Sequence, residues 1–445
     1  MELEVINPHC AGIDVGSRSH FVAIGQELSD VREFGVYADD LTEICSWLKE
    51  NGITSVAMES TGSYWQNLYV ELSKWGFDLV LANGKFTKNA KGEKTDVKDS
   101  RWIQKLHALG LLTSSFLPDE TTEQLRTYCR QRTNWLNMAA EASSKMQKYL
   151  KLLNFRLDVV VNDICGLTGL AIIEDICKGN LDPVKLAQHR HYNCKKSEEE
   201  IAKALKGNNR KDYLFGLKQE YESYLFLQGK MRDCDKQIDK FIKEQIKADP
   251  IKKKLQTTEK KHKKVNKNAP AIDLNQMAYK YFGGIDLMAI EGVSHSTVLT
   301  IISEVGPEGF SKFPTANHFT SWLRLAPNNK ISGGKILSNR TPKGSNRLKI
   351  ALRQAANAIG NLKDTPLSDF FRRIAFRKGR QAAVSATARK LAVIIWNMVT
   401  KKLPYLQEKE YLFLDQKRKL KLVKRIRKEI VKFDIKPEDV GLATP

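Results

Sequence analysis

The hydrophobic pattern of this chain changes period once, near residue 118, and that switch limits its architecture more than any other feature. Before it, residues 21–24, 54–58 and 78–82 are short β-prone runs. They alternate with helical stretches at 40–50, where Leu41, Ile44 and Leu48 share a face, and at 64–75. Strands alternating with helices at this spacing predict an α/β layer domain. After the switch, Leu125, Tyr128, Arg132, Trp135, Ala139, Ala142, Met146, Tyr149 and Leu153 recur at steps of three and four. That stripe predicts one long helix able to pack in a coiled coil. A second stripe runs through Leu217, Tyr221, Tyr224, Gln228, Met231, Ile238 and Ile242. Arg132 and Gln228 weaken the stripes without breaking them. An intramolecular hairpin and an intermolecular coiled coil satisfy them equally.

Between the stripes, residues 167–188 read as short helices punctuated by Gly179 and Pro183. Residues 251–268 hold eight lysines and one glutamate, the pattern of a basic linker. Beyond it, helices are expected at 296–304, 316–323 and 346–356, and a strongly basic helical tail at 403–440. The resulting division is α/β plus α: 1–118, a helical coiled-coil middle at 119–250, a linker at 251–283, a mainly helical domain at 284–400 and a basic tail at 401–445.

Charge narrows the partner. The 445 residues carry 73 Lys and Arg against 51 Asp and Glu, a net +22, which favours a polyanion such as nucleic acid. The longest apolar stretch, residues 391–396, is far short of a membrane span, so no membrane partner is expected. The first ten residues lack the basic and apolar regions of a secretory signal. Seven cysteines, odd in number and never spaced as CxxC, predict reduced packing thiols of a cytoplasmic protein.

Four acids suggest chemistry. Asp14 lies in the apolar run CAGIDVGS and Glu59 ends SVAMES, where an acid is costly unless paired or metal-bound. Asp96 and Asp99 in KTDVKDSRW are i and i+3, on one face of a helix beginning near Thr95. Carboxylates at strand ends facing such a pair suit two Mg²⁺ ions, which clamp the attacking and leaving oxygens of a phosphoryl transfer. The Asp pair is equally explained by a favourable interaction with a helix N-terminus. GIDVGS also suits an actin-like ATPase, but the nearest second phosphate loop, Gly283-Gly284-Ile285-Asp286, lacks a preceding strand.

The second informative stretch is RLAPNNKISGGKILSNRTPKGSNRLKIALRQA. Ser332 is followed by Gly333 and Gly334 and flanked by Lys330 and Lys335. Glycines permit close approach to a phosphate, and lysines would activate the hydroxyl or neutralise a pentavalent transition state. Arg340, Lys343, Arg347 and Arg353 continue the basic series, as candidates for nucleic-acid binding. A polar turn, or a phosphate-grasping loop without chemistry, remains open. Upstream, Ile290-Glu291-Gly292-Val293 is similar to half of a helix-hairpin-helix element.

Together GIDVGS, AMESTGSYW, KTDVKDSRWIQKLHALG, AIEGVSHSTVLTIISEVG, FTSWLRLAP, ISGG and TPKGSNRLKIALRQAA resemble the DEDD-type insertion-sequence transposases of the IS110 group, which includes the Piv-like DNA invertases. The resemblance covers roughly residues 8–155 and 284–360. It departs from the family pattern at Ala82-Asn83, where many members have Asn-Pro, and at Glu291, which replaces a proline. It implies an RNase H/RuvC-like domain binding Mg²⁺, or Mn²⁺, through Asp14, Glu59, Asp96 and Asp99, and a C-terminal transposase domain with Ser332 as catalytic nucleophile. It further implies donor and target DNA, a structured bridge RNA as guide, a homo-oligomer (dimer or tetramer), and a prokaryotic, nucleoid-associated protein. A metal-dependent RuvC-like nuclease or junction resolvase without a covalent intermediate, a Piv-like invertase, and a nucleic-acid-binding protein without catalysis are the alternatives.

Overall fold

The computed structural model describes residues 4–60, 62–84, 95–248, 268–405 and 412–434. The chain divides into two compact units, Met1–Leu117 and Pro118–Pro445.

In the first unit, β1 (Cys10–Val15), β2 (His20–Ala23), β3 (Val31–Phe34), β4 (Ser55–Glu59) and β5 (Asp78–Ala82) form one sheet in the order β3-β2-β1-β4-β5. The first three strands meander antiparallel, while β1–β4 and β4–β5 run parallel. Parallel neighbours need crossovers, and α1 (Ala38–Glu50) and α2 (Trp65–Lys74) supply them. Leu41, Ile44, Leu48, Leu68 and Leu72 of these helices bury against Ile13, Val15, Val22 and Met58 of the sheet. Because strand side chains alternate, Gly12 and Asp14 face the other way. There lies α3 (Asp96–Ala108), begun by Thr95, whose hydroxyl accepts from Lys98 N. This mixed sheet with its crossover order agrees with an RNase H-like domain. The sequence did not announce β3: its Arg32 and Glu33 are exposed, and no apolar alternation marks it.

The second unit opens with α4 (Glu120–Leu152), capped by Asp119 on Thr122 N. Short helices α5 (Leu157–Val160), α6 (Leu167–Cys177), α7 (Pro183–Ala187) and α8 (Glu198–Ala204) lead to α9 (Lys211–Ala248). The two long helices pack antiparallel: the Tyr128 ring meets Phe241, Lys145 lies 3.7 Å from Glu220, and Tyr149 backs onto Gly216. Both stripes therefore bury each other within one chain, together with Ile172, Ile173 and Ile176 of α6. They no longer argue for an intermolecular coiled coil. Arg132, the polar break in the first stripe, donates from Nε to Asp235 of α9 at 2.5 Å, both side chains being buried. A buried charge is tolerated only with such a partner.

The rest comprises α10 (Leu274–Tyr281), α11 (His295–Glu304), α12 (Ala316–Trp322), the hairpin β6 (Lys330–Ser332) and β7 (Lys335–Ser338), α13 (Arg347–Ile359), α14 (Pro366–Lys378), α15 (Arg380–Lys401) and α16 (Leu412–Phe433). Arg130 of α4 clamps the Glu304 carboxylate of α11 with two hydrogen bonds of 3.0 and 2.8 Å, and Arg126 donates to the Glu304 carbonyl. The first long helix thus anchors the helical C-terminal part within the same unit. Among the described residues, α15 is the one helix long and apolar enough to cross a membrane. Ala383, Ala388, Leu391, Ala392 and Ile395 are buried in protein instead. Of the expected linker at 251–283, residues 251–267 lie outside the described residues, whereas 268–283 hold helix α10, whose Leu274, Met277 and Ala278 are buried. This part is packed structure rather than linker. The basic tail is described over 401–405 and 412–434.

Candidate active site

The register of the sheet fixes where the four acids stand. Ile13 of β1 pairs with Met58 of β4 in parallel, so the next residues, Asp14 and Glu59, lie side by side where the two strands end. Paired residues of parallel strands share a face, and this face is the one α3 covers. Ser55 Oγ lies 2.7 Å from His107 Nε2 near the far end of α3, and Cys10 Sγ meets the Gln104 carbonyl. Gly12 abuts the backbone of Ser100 and Gln104. Contacts that climb β1 from Cys10 to Gly12 thus descend α3 from Gln104 towards Ser100. The helix runs antiparallel to the strand and brings its first turn, with Asp96 and Asp99, to the strand ends where Asp14 and Glu59 lie. Two strands and one helix therefore direct all four predicted acids to one end of one sheet face.

Gly12 is what permits this. A Cβ there would stand 2.6 Å from both Gln104 Cα and Ser100 O, backbone atoms that cannot swing aside. Gly84, just past β5, lies close to the Glu59 carboxylate: a Cβ at that position would stand 2.5 Å from Glu59 Oε1, a side-chain end that can turn aside. Burial holds the His20 and His107 imidazoles below their ordinary pKa, Asp40 partly opposing this at His20. The donors are all carboxylates, which suit a hard divalent cation such as Mg²⁺. Among the described residues, however, no three His, Cys, Asp or Glu side chains are close enough to hold an ion. The acids gather at one end without closing into a ligand set.

Ser332 belongs to the second unit, at the end of β6 in a two-stranded hairpin whose turn is Gly333-Gly334. Gly333 and Gly334 have φ of +55° and +74°, the two left-handed positions of a type I′ turn. Among the described residues, nothing lies within 4 Å of a Cβ at either, so the glycines serve the turn and leave its tip open. Ser332 pairs with Lys335 across this turn, which puts the ammonium stem on the hydroxyl's face of the ribbon, with Cβ atoms about 5 Å apart. Lys330, Ser332 and Lys335 are all exposed.

The basic series divides. Arg340, Lys343 and Arg347 are exposed, whereas Arg353 is half-buried and donates to Ser385 Oγ of α15 at 2.9 Å. Two cations that sequence reasoning passed over hold the loop between hairpin and helix. Lys349 Nζ donates to the Pro342 carbonyl at 3.1 Å, and Arg324 Nη1 donates to the Lys343 carbonyl. Burial, with Arg353 and Arg324 nearby, pulls the Lys349 pKa down. Arg324 takes a left-handed φ of +54°, and Gly344 leaves the space its guanidinium fills. The signal was the bare Gly344 in TPKGSNR, where a glycine beside cations marks a close approach.

The candidate helix-hairpin-helix glycine serves packing: Gly292 has φ +75° and lies against the Ala355 carbonyl and the Ile359 side chain, while Tyr405 donates to Glu291. Gly283 and Gly284 follow helix α10 rather than a strand, as the argument against an actin-like ATPase required. All seven cysteines are free thiols; Cys10, Cys45, Cys129 and Cys165 are buried.

A DEDD-type transposase family model matches residues 11–155, which include all four acids, and a second, Transposase IS116/IS110/IS902 family, matches residues 286–372, which include Ser332. Together they take in just over half of the chain. A curated relative, the insertion element IS110 uncharacterized 43.6 kDa protein of Streptomyces coelicolor, is 33% identical over 114 residues. That alignment spans 25% of this chain and 28% of the relative. With both blocks present in order, the chain belongs to the IS110 family of transposases.

Proposed function

We propose that the protein is a metal-dependent DNA transposase that cuts and rejoins DNA through a covalent serine–DNA intermediate. The observation that carries this reading is the gathering of Asp14, Glu59, Asp96 and Asp99 at one end of a sheet face, in a chain whose other matched block holds an exposed serine beside a lysine. Asp14, Glu59, Asp96 and Asp99 would hold the divalent cation. When bound, it supplies charge neutralisation at the phosphate and stabilises the leaving oxygen.

Ser332 Oγ attacks the scissile phosphorus and loses its proton; a Ser332–phosphate ester forms, one phosphate–deoxyribose bond breaks, and the freed deoxyribose hydroxyl takes up a proton. Lys335, on the same ribbon face, favours the hydroxyl's deprotonation and offsets charge on the pentavalent phosphorus. Lys330, Arg340, Lys343 and Arg347 grip phosphates on either side, while Arg353 braces α13. Rejoining reverses the step with a different deoxyribose hydroxyl. The phosphodiester bond is conserved as an ester, so no external energy source is needed.

The family resemblance also supports guidance by a structured RNA, whose backbone would share this basic surface with DNA. The test uses DNA carrying the ends of the encoding element, with the cognate noncoding RNA and Mg²⁺. Wild-type protein gives a denaturant-resistant DNA adduct, whereas Ser332→Ala, Asp14→Asn and Glu59→Gln give none yet still bind DNA. Adducts in Ser332→Ala would overturn the serine assignment, and cleaved ends bearing free 5′-phosphates with no protein attached would replace this reading by the acid-only nuclease.

A further inference from the structure

We infer that the β6–β7 hairpin is also an unstacking wedge, with the exposed apolar side chains of Ile331 and Leu337 inserting among the bases beside the phosphate its lysines hold. The inference rests on the proposed role of this hairpin at DNA. A two-stranded ribbon is marginal in water, and its apolar groups would be expected to pack inward. Ile331 is instead 61% exposed and Leu337 70% exposed, within seven residues of one another. Both sit among exposed cations: Lys330, Lys335, Arg340, Lys343 and Arg347. Apolar side chains on a strongly cationic projection match a polyanion with an apolar interior, and a stacked nucleic acid is such a partner. A second protein surface would need acids to meet the same cations.

Among the described residues, no atom lies within 4 Å of a Cβ at either glycine, so the tip of the ribbon itself is open. Burying two such side chains gives back roughly what opening one base step costs. The hairpin would thereby distort the backbone at the linkage Ser332 attacks, and apolar anchors would fix the register that phosphate contacts alone leave free.

The test measures affinity of the full-length protein for a short paired duplex and for the same duplex with a central mismatched bubble, by fluorescence anisotropy. In the bubble, opening has been done beforehand, so wild-type protein should prefer it by about tenfold or more. Ile331→Ser/Leu337→Ser should lose that preference while keeping paired-duplex affinity and its salt dependence, since the phosphate contacts remain. Ser332→Ala should keep the preference, which separates this inference from the nucleophile assignment. No bubble preference in the wild type, an unchanged preference in the double variant, or a change in that variant's oligomeric mass would overturn the wedge.

Discussion

Gly12→Ala puts the acid arrangement under direct strain. The new methyl would stand 2.6 Å from Gln104 Cα and Ser100 O and closer still to Gln104 N, whereas ordinary contact begins at 3.4 Å. The first two contacts alone leave a deficit of about 0.8 Å. Strand β1 is locked between β2 and β4, so α3 must withdraw. Overpacking of this kind costs about 1–3 kcal/mol. The displaced helix carries Asp96 and Asp99, and a shift near 1 Å at a reacting group lowers rate on the order of a hundredfold.

A control separates the two effects. Gly52 has φ +67° with nothing among the described residues within 4 Å of a Cβ, so Gly52→Ala costs about 1–2 kcal/mol through backbone conformation alone. Urea unfolding and adduct formation below the transition are the assays. Both variants should lower the urea midpoint, and only Gly12→Ala should lose adduct formation. Wild-type stability in Gly12→Ala, or equal activity loss in both variants, would refute the packing argument.

Three further outcomes follow from the same coordinates. Removing one partner of the Arg132–Asp235 pair, as in Asp235→Leu, should cost about 3–5 kcal/mol in denaturant unfolding, whereas Arg132→Met/Asp235→Leu should recover most of it. His20 and His107 are buried and held below their ordinary 6.5. Their contribution is intact above pH 6.5 and is lost as pH falls through their folded values, so thermal stability of the first unit should drop on acidification, less so in His107→Gln. Burial pushes the thiol of Cys129 up to about 12 and those of Cys10 and Cys45 to about 11. These thiols should resist a thiol reagent until the protein unfolds. The stability they confer should fade as pH rises from 9, where unfolded thiols ionise, towards 11.

Local pattern made much of the fold legible. Alternating runs marked β2, β4 and β5, and three-four stripes marked α4 and α9. The placement of Asp14 and Glu59 at strand ends and of the Asp pair in a first helical turn followed from the same signals. What escaped depended on distant partners. Arg132 looked like a flaw in its stripe because Asp235 lies 103 residues away. Arg353 looked like one more free cation until α15 packed on it. The hairpin was not anticipated: Gly333-Gly334 fits a polar turn and a phosphate-grasping loop alike, although two glycines between short β-prone runs also spell a type I′ turn. Helices α14 and α15 carried no motif and were not anticipated.

The claim on which the account depends is a covalent bond from DNA to the hydroxyl of Ser332. Trypsin cuts after Lys330 and Lys335, releasing Ile331–Lys335, whose lone hydroxyl belongs to that serine. Nuclease-treated adduct, digested and sequenced by mass spectrometry, should yield this peptide bearing a nucleotide through a phosphate ester on Ser332. A nucleotide found on any other peptide, or DNA cut by the active protein with this peptide unmodified throughout the reaction, would contradict it.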